Sequence, residues 1–135
     1  MSEATDDPAS LDTVDALEAL ARSPGCEVLR KSRLASFVAE SRHALVFLTG
    51  DARNRAEGLD VAVVVRELLH RYAGRLRVGI IDRRDETIAM PSLGVVVLPA
   101  VVFARHGQLV EVIARMRDWS AYVAACERLF EEDRA

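Results

Sequence analysis

Only two cysteines, Cys26 and Cys126, occur in the 135 residues, and a hundred positions separate them. Neither belongs to a C-x-x-C pair or to a metal-ligand spacing, so dithiol chemistry and a cysteine-held metal lack their usual sequence support. Both read as small buried hydrophobes. Aromatic residues make up only 5% of the chain. Without aromatics interleaved among the basic residues, and without a nucleic-acid module, the sequence gives no ground for expecting a nucleic-acid partner. The longest apolar run, Leu93 to Ala104, is too short to span a bilayer and is broken by Gly94 and Pro99. Met1 to Asp7 are acidic and polar, with neither a basic n-region nor an apolar h-region, so no secretory signal and a cytoplasmic location are expected. Lysine is nearly missing: Lys31 is the single one among 18 basic residues.

What is present fits one soluble domain. At 14.9 kDa, with half the residues apolar and 29% charged, folding buries roughly two thirds of the unfolded surface. The formal charge of −3 is unevenly spread. Residues 1–20 carry six acids (Glu3, Asp6, Asp7, Asp12, Asp15, Glu18) and no base, whereas Arg42 to Arg84 holds nine arginines against five acids. The negative sign therefore belongs to the N-terminus.

Apolar spacing gives the elements. Residues 1–9 read as a disordered acidic lead-in, and 10–135 as a single domain. Leu11, Val14, Leu17, Leu20 and Ala21 recur at helical spacing behind a Ser10 cap, and Ser23-Pro24-Gly25 stops that helix. A short edge strand is expected over Glu27–Arg30, then a helix capped by Ser32 that carries Leu34, Phe37 and Val38. Ala44–Thr49 is a continuous apolar run, the pattern of a strand buried on both faces. A polar loop over Gly50–Leu59 leads to Asp60, placed to cap a helix whose stripe is Val61, Val64, Val65, Leu68, Leu69 and Tyr72. Val78 to Ile81 form the next strand, ending at Asp82. A short helical turn starts at Asp85 and is interrupted by Pro91. Ala100–Ala104 and Leu109–Ala114 flank Arg105-His106-Gly107-Gln108, a hairpin signal. Asp118 caps the last helix. A β-α-β unit followed by a hairpin and a closing helix predicts an α/β chain with a central mixed sheet flanked by helices, and an extra N-terminal helix: a thioredoxin-like fold.

Val97-Leu98-Pro99-Ala100-Val101-Val102-Phe103, with a glycine turn four residues on, resembles the cis-proline strand and hairpin of thioredoxins. The resemblance implies a cis bond before Pro99, a geometry that proline tolerates best. Where the thioredoxin thiol pair would lie, the chain reads Thr49-Gly50-Asp51-Ala52-Arg53-Asn54-Arg55, without cysteine. Thiol exchange needs an attacking thiolate and a resolving sulfur, so a redox role is excluded for this loop. The strand before it also lacks the buried acid of thioredoxins.

Leu48-Thr49-Gly50-Asp51, Glu57-Gly58-Leu59-Asp60-Val61-Ala62-Val63-Val64, Glu67-Leu68-Leu69, Pro99 and Asp118-Trp119 together resemble the hydrogenase-expression accessory proteins of the HyaE/HupG/HoxO type. The resemblance spans roughly Pro24 to Phe130. It implies a non-catalytic chaperone in the assembly of an uptake [NiFe] hydrogenase, which binds the small-subunit precursor and its twin-arginine leader before export. Another hydrogenase accessory protein is a further implied partner. No cofactor is implied, and Glu57, Asp60 and Glu67 are the acids carried over.

Carboxylates suit such a ligand, because each can pair bidentately with a guanidinium fork. Asp60 and Glu67, seven residues apart, share one side of a helix. The candidate partner-binding set is Asp51, Glu57, Asp60, Glu67, Asp82, Leu98 and Pro99. Against it, Asp60 also reads as a plain cap, and Arg53, Arg55, Arg83 and Arg84 repel a basic leader unless neighbouring acids neutralise them. Glu67 and His70 form a lone E-x-x-H, which without a second copy is surface chemistry rather than a metal site. No nucleophile–base pair is apparent. The alternative is an enzyme or ligand-binding protein using other chemistry on a redox-inactive thioredoxin-like scaffold.

Overall fold

A computed structural model describes residues 16–131. Helix α1 is described over 16–21; its expected start at Ser10 and Leu11, like the lead-in over 1–9, lies outside the described residues. The chain continues through β1 (Cys26–Leu29), α2 (Lys31–Glu40), β2 (Ala44–Leu48), α3 (Arg55–Arg71), β3 (Arg77–Ile81), α4 (Glu86–Leu93), β4 (Ala100–Arg105), β5 (Gln108–Ala114) and α5 (Trp119–Phe130). The sheet order is β1-β3-β2-β4-β5. β3 runs parallel to both β1 and β2, with Leu45 opposite Val78, while β4 and β5 are antiparallel, with Phe47 opposite Val101. It is the expected mixed sheet between two helical layers.

Period-two alternation divides the central strands between two cores. Leu45, Phe47, Val101 and Phe103 face α3 and α5, where Val65, Leu68, Tyr122 and Leu129 cover them. Val46, Leu48, Val102 and Ala104 face α2 and α4, against Leu34, Phe37, Ala89 and Leu93. β2 is therefore buried along its whole length, as its unbroken apolar run predicts. The hairpin also forms as expected, with His106 and Gly107 at φ 48° and 86° in the turn, and a bulge opposite Phe103 and Ala104.

Several boundaries differ from expectation. β1 is Cys26–Leu29, one residue earlier than predicted. α2 begins at Lys31, not behind Ser32; Arg30 occupies the cap position without a capping side chain of its own. Asp85, 54 residues away, accepts the Lys31 N–H at 2.8 Å instead. α4 runs through Pro91 to Leu93 and stops at Gly94, which is left-handed at φ 69°; proline removes one helix donor near the end of a short helix, where little is lost.

The largest difference concerns α3. It starts at Arg55 behind Asn54, so Asp60 lies in its second turn and is not its cap. The polar stretch Arg55–Leu59 looks like a loop, yet Gly58 explains why it is helical there. A Cβ on Gly58 would stand 2.2 Å from the Thr49 carbonyl oxygen, so only glycine lets this turn cross the end of β2 at such range. Asp118 does stand at the N-cap of α5 in extended conformation, but its side chain makes no capping bond.

Gly58→Ala is expected to lower the unfolding free energy by about 2 kcal/mol or more, because backbone rather than a flexible side chain must move. Gly74→Ala, where φ is +83° but nothing lies within 4 Å, should cost only about 1 kcal/mol of backbone strain. Urea midpoints of the two variants compare them directly.

Candidate functional site

The parallel strands β2 and β3 point their C-terminal ends at one edge of the sheet, where β4 begins and β5 finishes. The loop after β2 is fixed from beneath. Glu86, in the first turn of α4 and only 5% exposed, accepts the Thr49 N–H at 2.7 Å and the Thr49 hydroxyl at 3.0 Å. Its two oxygens also receive the Gly50 N–H, each at 3.2 Å. β2 lacks a buried acid, as its sequence says, but an acid from another element stands under its end.

Beside it, Leu98 is half-buried and Pro99 buried, and the Leu98–Pro99 bond is cis, as the thioredoxin resemblance implies. The Pro99 carbonyl accepts the Arg115 N–H at 2.8 Å. Arg115, at the left-handed φ of 66°, turns its guanidinium onto Glu57. Nη2 lies 2.7 Å from one carboxylate oxygen, Nε lies 3.0 Å from each, and Glu57 also accepts the Met116 N–H at 2.7 Å. One acid on α3 thus ties down the strand end that borders the cis-proline.

The predicted carboxylates separate into two groups. Asp51 accepts the Arg53 N–H at 2.9 Å and its guanidinium at 3.3 Å. Asp82 accepts the Arg84 N–H at 3.0 Å and the Arg84 Nε and Nη2 donors, each at 2.9 Å. With Glu57, these acids are held below the usual carboxylate range: by Arg115 first for Glu57, by the Arg84 guanidinium for Asp82, and by the Arg53 amide for Asp51. Asp85 is lowered likewise by Arg30, whose Nε stands 2.9 Å away. Asp60 and Glu67 differ. Both are exposed on α3, and neither has a hydrogen-bond or ion-pair partner among the described residues. A seven-residue separation puts them roughly 10 Å apart along the helix, with the 42%-exposed Val63 between.

Sequence reasoning missed Glu86 and Arg115. The acids clustered at Asp82, Asp85 and Glu86 hinted at the first; nothing local marks Arg115. Exposed apolar side chains complete the edge: Val96 at 86%, with Val97, Ile88, Met116 and Trp119 all above a third. The cysteines take no part. Cys26 opens β1, at the opposite end of the sheet, and Cys126 is buried on α5. Burial pushes their thiols up to about 11 and about 12.

The hydrogenase-1 expression protein HyaE family matches residues 17–122. The chain belongs to this family. Its curated relatives include the hydrogenase expression/formation protein HupG of Rhizobium leguminosarum bv. viciae, 42% identical over 67% of this chain and 60% of its own length. HupG of Bradyrhizobium diazoefficiens is 37% identical over 67% and 62%, and HoxO of Cupriavidus necator is 37% identical over 62% and 53%. The chain thus spans about 60% of the length of HupG in the two rhizobia. Among solved structures, mitochondrial thioredoxin 3 of Saccharomyces cerevisiae superposes with TM-score 0.64 at 13% identity, over 75% of this chain and 92% of that one. A mutant thioredoxin of Halobacterium salinarum gives 0.64 at 21%, over 79% and 93%. The fold is thioredoxin-like. Among the described residues, no helix is long and apolar enough to cross a membrane.

Two measurements check this site. Glu86→Gln replaces an acceptor-only carboxylate by an amide that must face N–H donors; about 1–3 kcal/mol of stability should be lost, and the Thr49 and Gly50 amides should exchange faster with deuterium. Lowered folded-state pKa values at Asp51, Glu57, Asp82 and Asp85 contribute stability that is present above the ordinary carboxylate pKa. That stability is lost as pH falls through the lowered values. Thermal midpoints should therefore drop below about pH 4, and Glu57→Gln should flatten part of the fall.

Proposed function

We propose that this protein is a non-catalytic chaperone in the maturation of an uptake [NiFe] hydrogenase, holding the small-subunit precursor through its twin-arginine leader in the cytoplasm. Membership of the HyaE family and the names of its relatives support the hydrogenase assignment. One observation carries the leader reading: Asp60 and Glu67 are exposed carboxylates on one face of α3, without a partner among the described residues. Exposed carboxylates seek guanidinium forks, and two of them on one helix face suit two arginines. Asp51, Glu57 and Asp82 fit this role less well, since a leader would have to displace the arginines of this chain. Their part is to shape the edge. Leu98 and Pro99, with the apolar side chains of Val96, Val97 and Met116 alongside, then offer a place for the apolar portion that follows the basic end of a leader. A carboxylate face needs no cofactor, and no enzyme activity is invoked.

Titration with a synthetic small-subunit leader tests the reading. Asp60→Asn with Glu67→Gln should weaken binding roughly five- to thirtyfold, on about 0.5–1 kcal/mol for each exposed pair. Stability should hardly change, because Asp60 caps nothing. Failure of both the leader and the intact precursor to bind wild-type protein at low salt would sink the proposal.

A further inference from the structure

While Asp51, Glu57, Asp82, Asp85 and Glu86 at this edge of the sheet are taken up by arginines or amides, the cations Arg55 and Arg83 have no such partner among the described residues. Arg55, at the start of α3, and Arg83, just after β3, are exposed and make no ion pair among the described residues. Both border the same small depression at Thr49 and Gly50, and Leu17 of α1 forms another of its walls. A second hollow, of about 300 Å³, is lined by Leu17, Thr49, Asp82 and Arg83 among others. Nearby acids cannot serve these arginines without giving up other partners: Asp51 is engaged by Arg53, Asp82 by Arg84, and Glu86 by the Thr49 and Gly50 amides.

Helix α1 brings the chain to this spot. Leu17 lies in the wall of the depression that Arg55 and Arg83 border, so the point from which residues 1–15 are tethered is one residue from it. Residues 1–15 contain Glu3, Asp6, Asp7, Asp12 and Asp15, and no lysine, arginine or histidine. A chain of that length reaches at most about 50 Å, ample for a patch next to its point of attachment.

We propose that the acidic segment 1–15 binds intramolecularly to the patch formed by Arg55 and Arg83, covering the end of β2. Tethering supplies an effective concentration in the millimolar range, so a weak charge-based contact suffices. The attraction is between exposed groups and is screened over a Debye length of about 10 Å at 0.1 M salt. The segment is then the occupant that any external acidic ligand must displace from this patch. Asp60 and Glu67 are not part of the contact, and the inference does not depend on leader binding.

The test uses full-length chains and a fluorescent synthetic peptide of residues 1–15. In one chain Glu3→Gln, Asp6→Asn, Asp7→Asn and Asp12→Asn neutralise the resident segment. The peptide should bind this chain about tenfold more tightly than wild type, the ratio expected when effective concentration exceeds the bimolecular dissociation constant about tenfold. Adding Arg55→Gln and Arg83→Gln should abolish binding, and Arg55→Lys with Arg83→Lys should restore most of it. Affinity should also fall steeply as salt rises from about 0.01 M to about 0.3 M. Absence of binding at low salt would overturn the proposal, as would binding indifferent to the Gln pair. Equal affinity for the wild-type and neutralised chains would overturn it too, leaving the patch open to some other acidic partner.

Discussion

The Glu86 carboxylate, buried beneath the end of β2, is the contact on which the organisation of the edge depends. It gathers the Thr49 amide and hydroxyl and the Gly50 amide, groups that would otherwise end a central strand unsatisfied. A buried carboxylate is costly unless its oxygens are filled, and three donors fill them here. From the other side of the sheet, α3 lies against the same residue, with Gly58 at the Thr49 carbonyl. Thr49 is thus fixed through its N–H, its hydroxyl and the close approach to its C=O, and the loop that follows starts from a defined place.

From that anchor the remaining polar geometry follows. Because α3 begins at Arg55, Glu57 projects toward the β5 end and captures Arg115 and the Met116 amide. Arg115 in turn keeps its own N–H on the Pro99 carbonyl. The β3 end is organised in the same manner, with Asp82 closing on Arg84 and Asp85 on Arg30 and the start of α2. Most of the charge at this edge therefore has internal work, and net charge says little about what the surface attracts. What is left over decides that, and it includes Asp60 and Glu67 on the outer face of α3 and Arg55 and Arg83 at the mouth of β2.

A thioredoxin-like sheet with its cis-proline persists in this chain while the loop after β2 carries no thiol. The cysteines that do occur sit elsewhere, with burial holding their thiols protonated. Such a scaffold still presents exposed apolar side chains near Pro99, among them Val96, Val97 and Met116.

Much of this was legible in order along the chain. The uninterrupted run Ala44–Leu48 required a strand covered on both faces, the glycine turn at Gly107 required a hairpin, and the missing C-x-x-C closed the redox route. Periodicity also placed the inner stripe of α3, though not its beginning, because Arg55–Leu59 has loop-like composition and becomes helical only where Gly58 meets Thr49. Likewise, nothing beside Lys31 shows that its helix is capped by Asp85. Local sequence thus determined the elements, the two-sided core and the lack of a cysteine pair in the loop after β2, since those depend on spacing and residue type. Asp51 and Asp82 close on arginines two residues along the chain, but the pairing of Glu57 with Arg115 and of Asp85 with Arg30 was decided by the tertiary structure, because folding brings residues 58 and 55 positions apart within 3 Å.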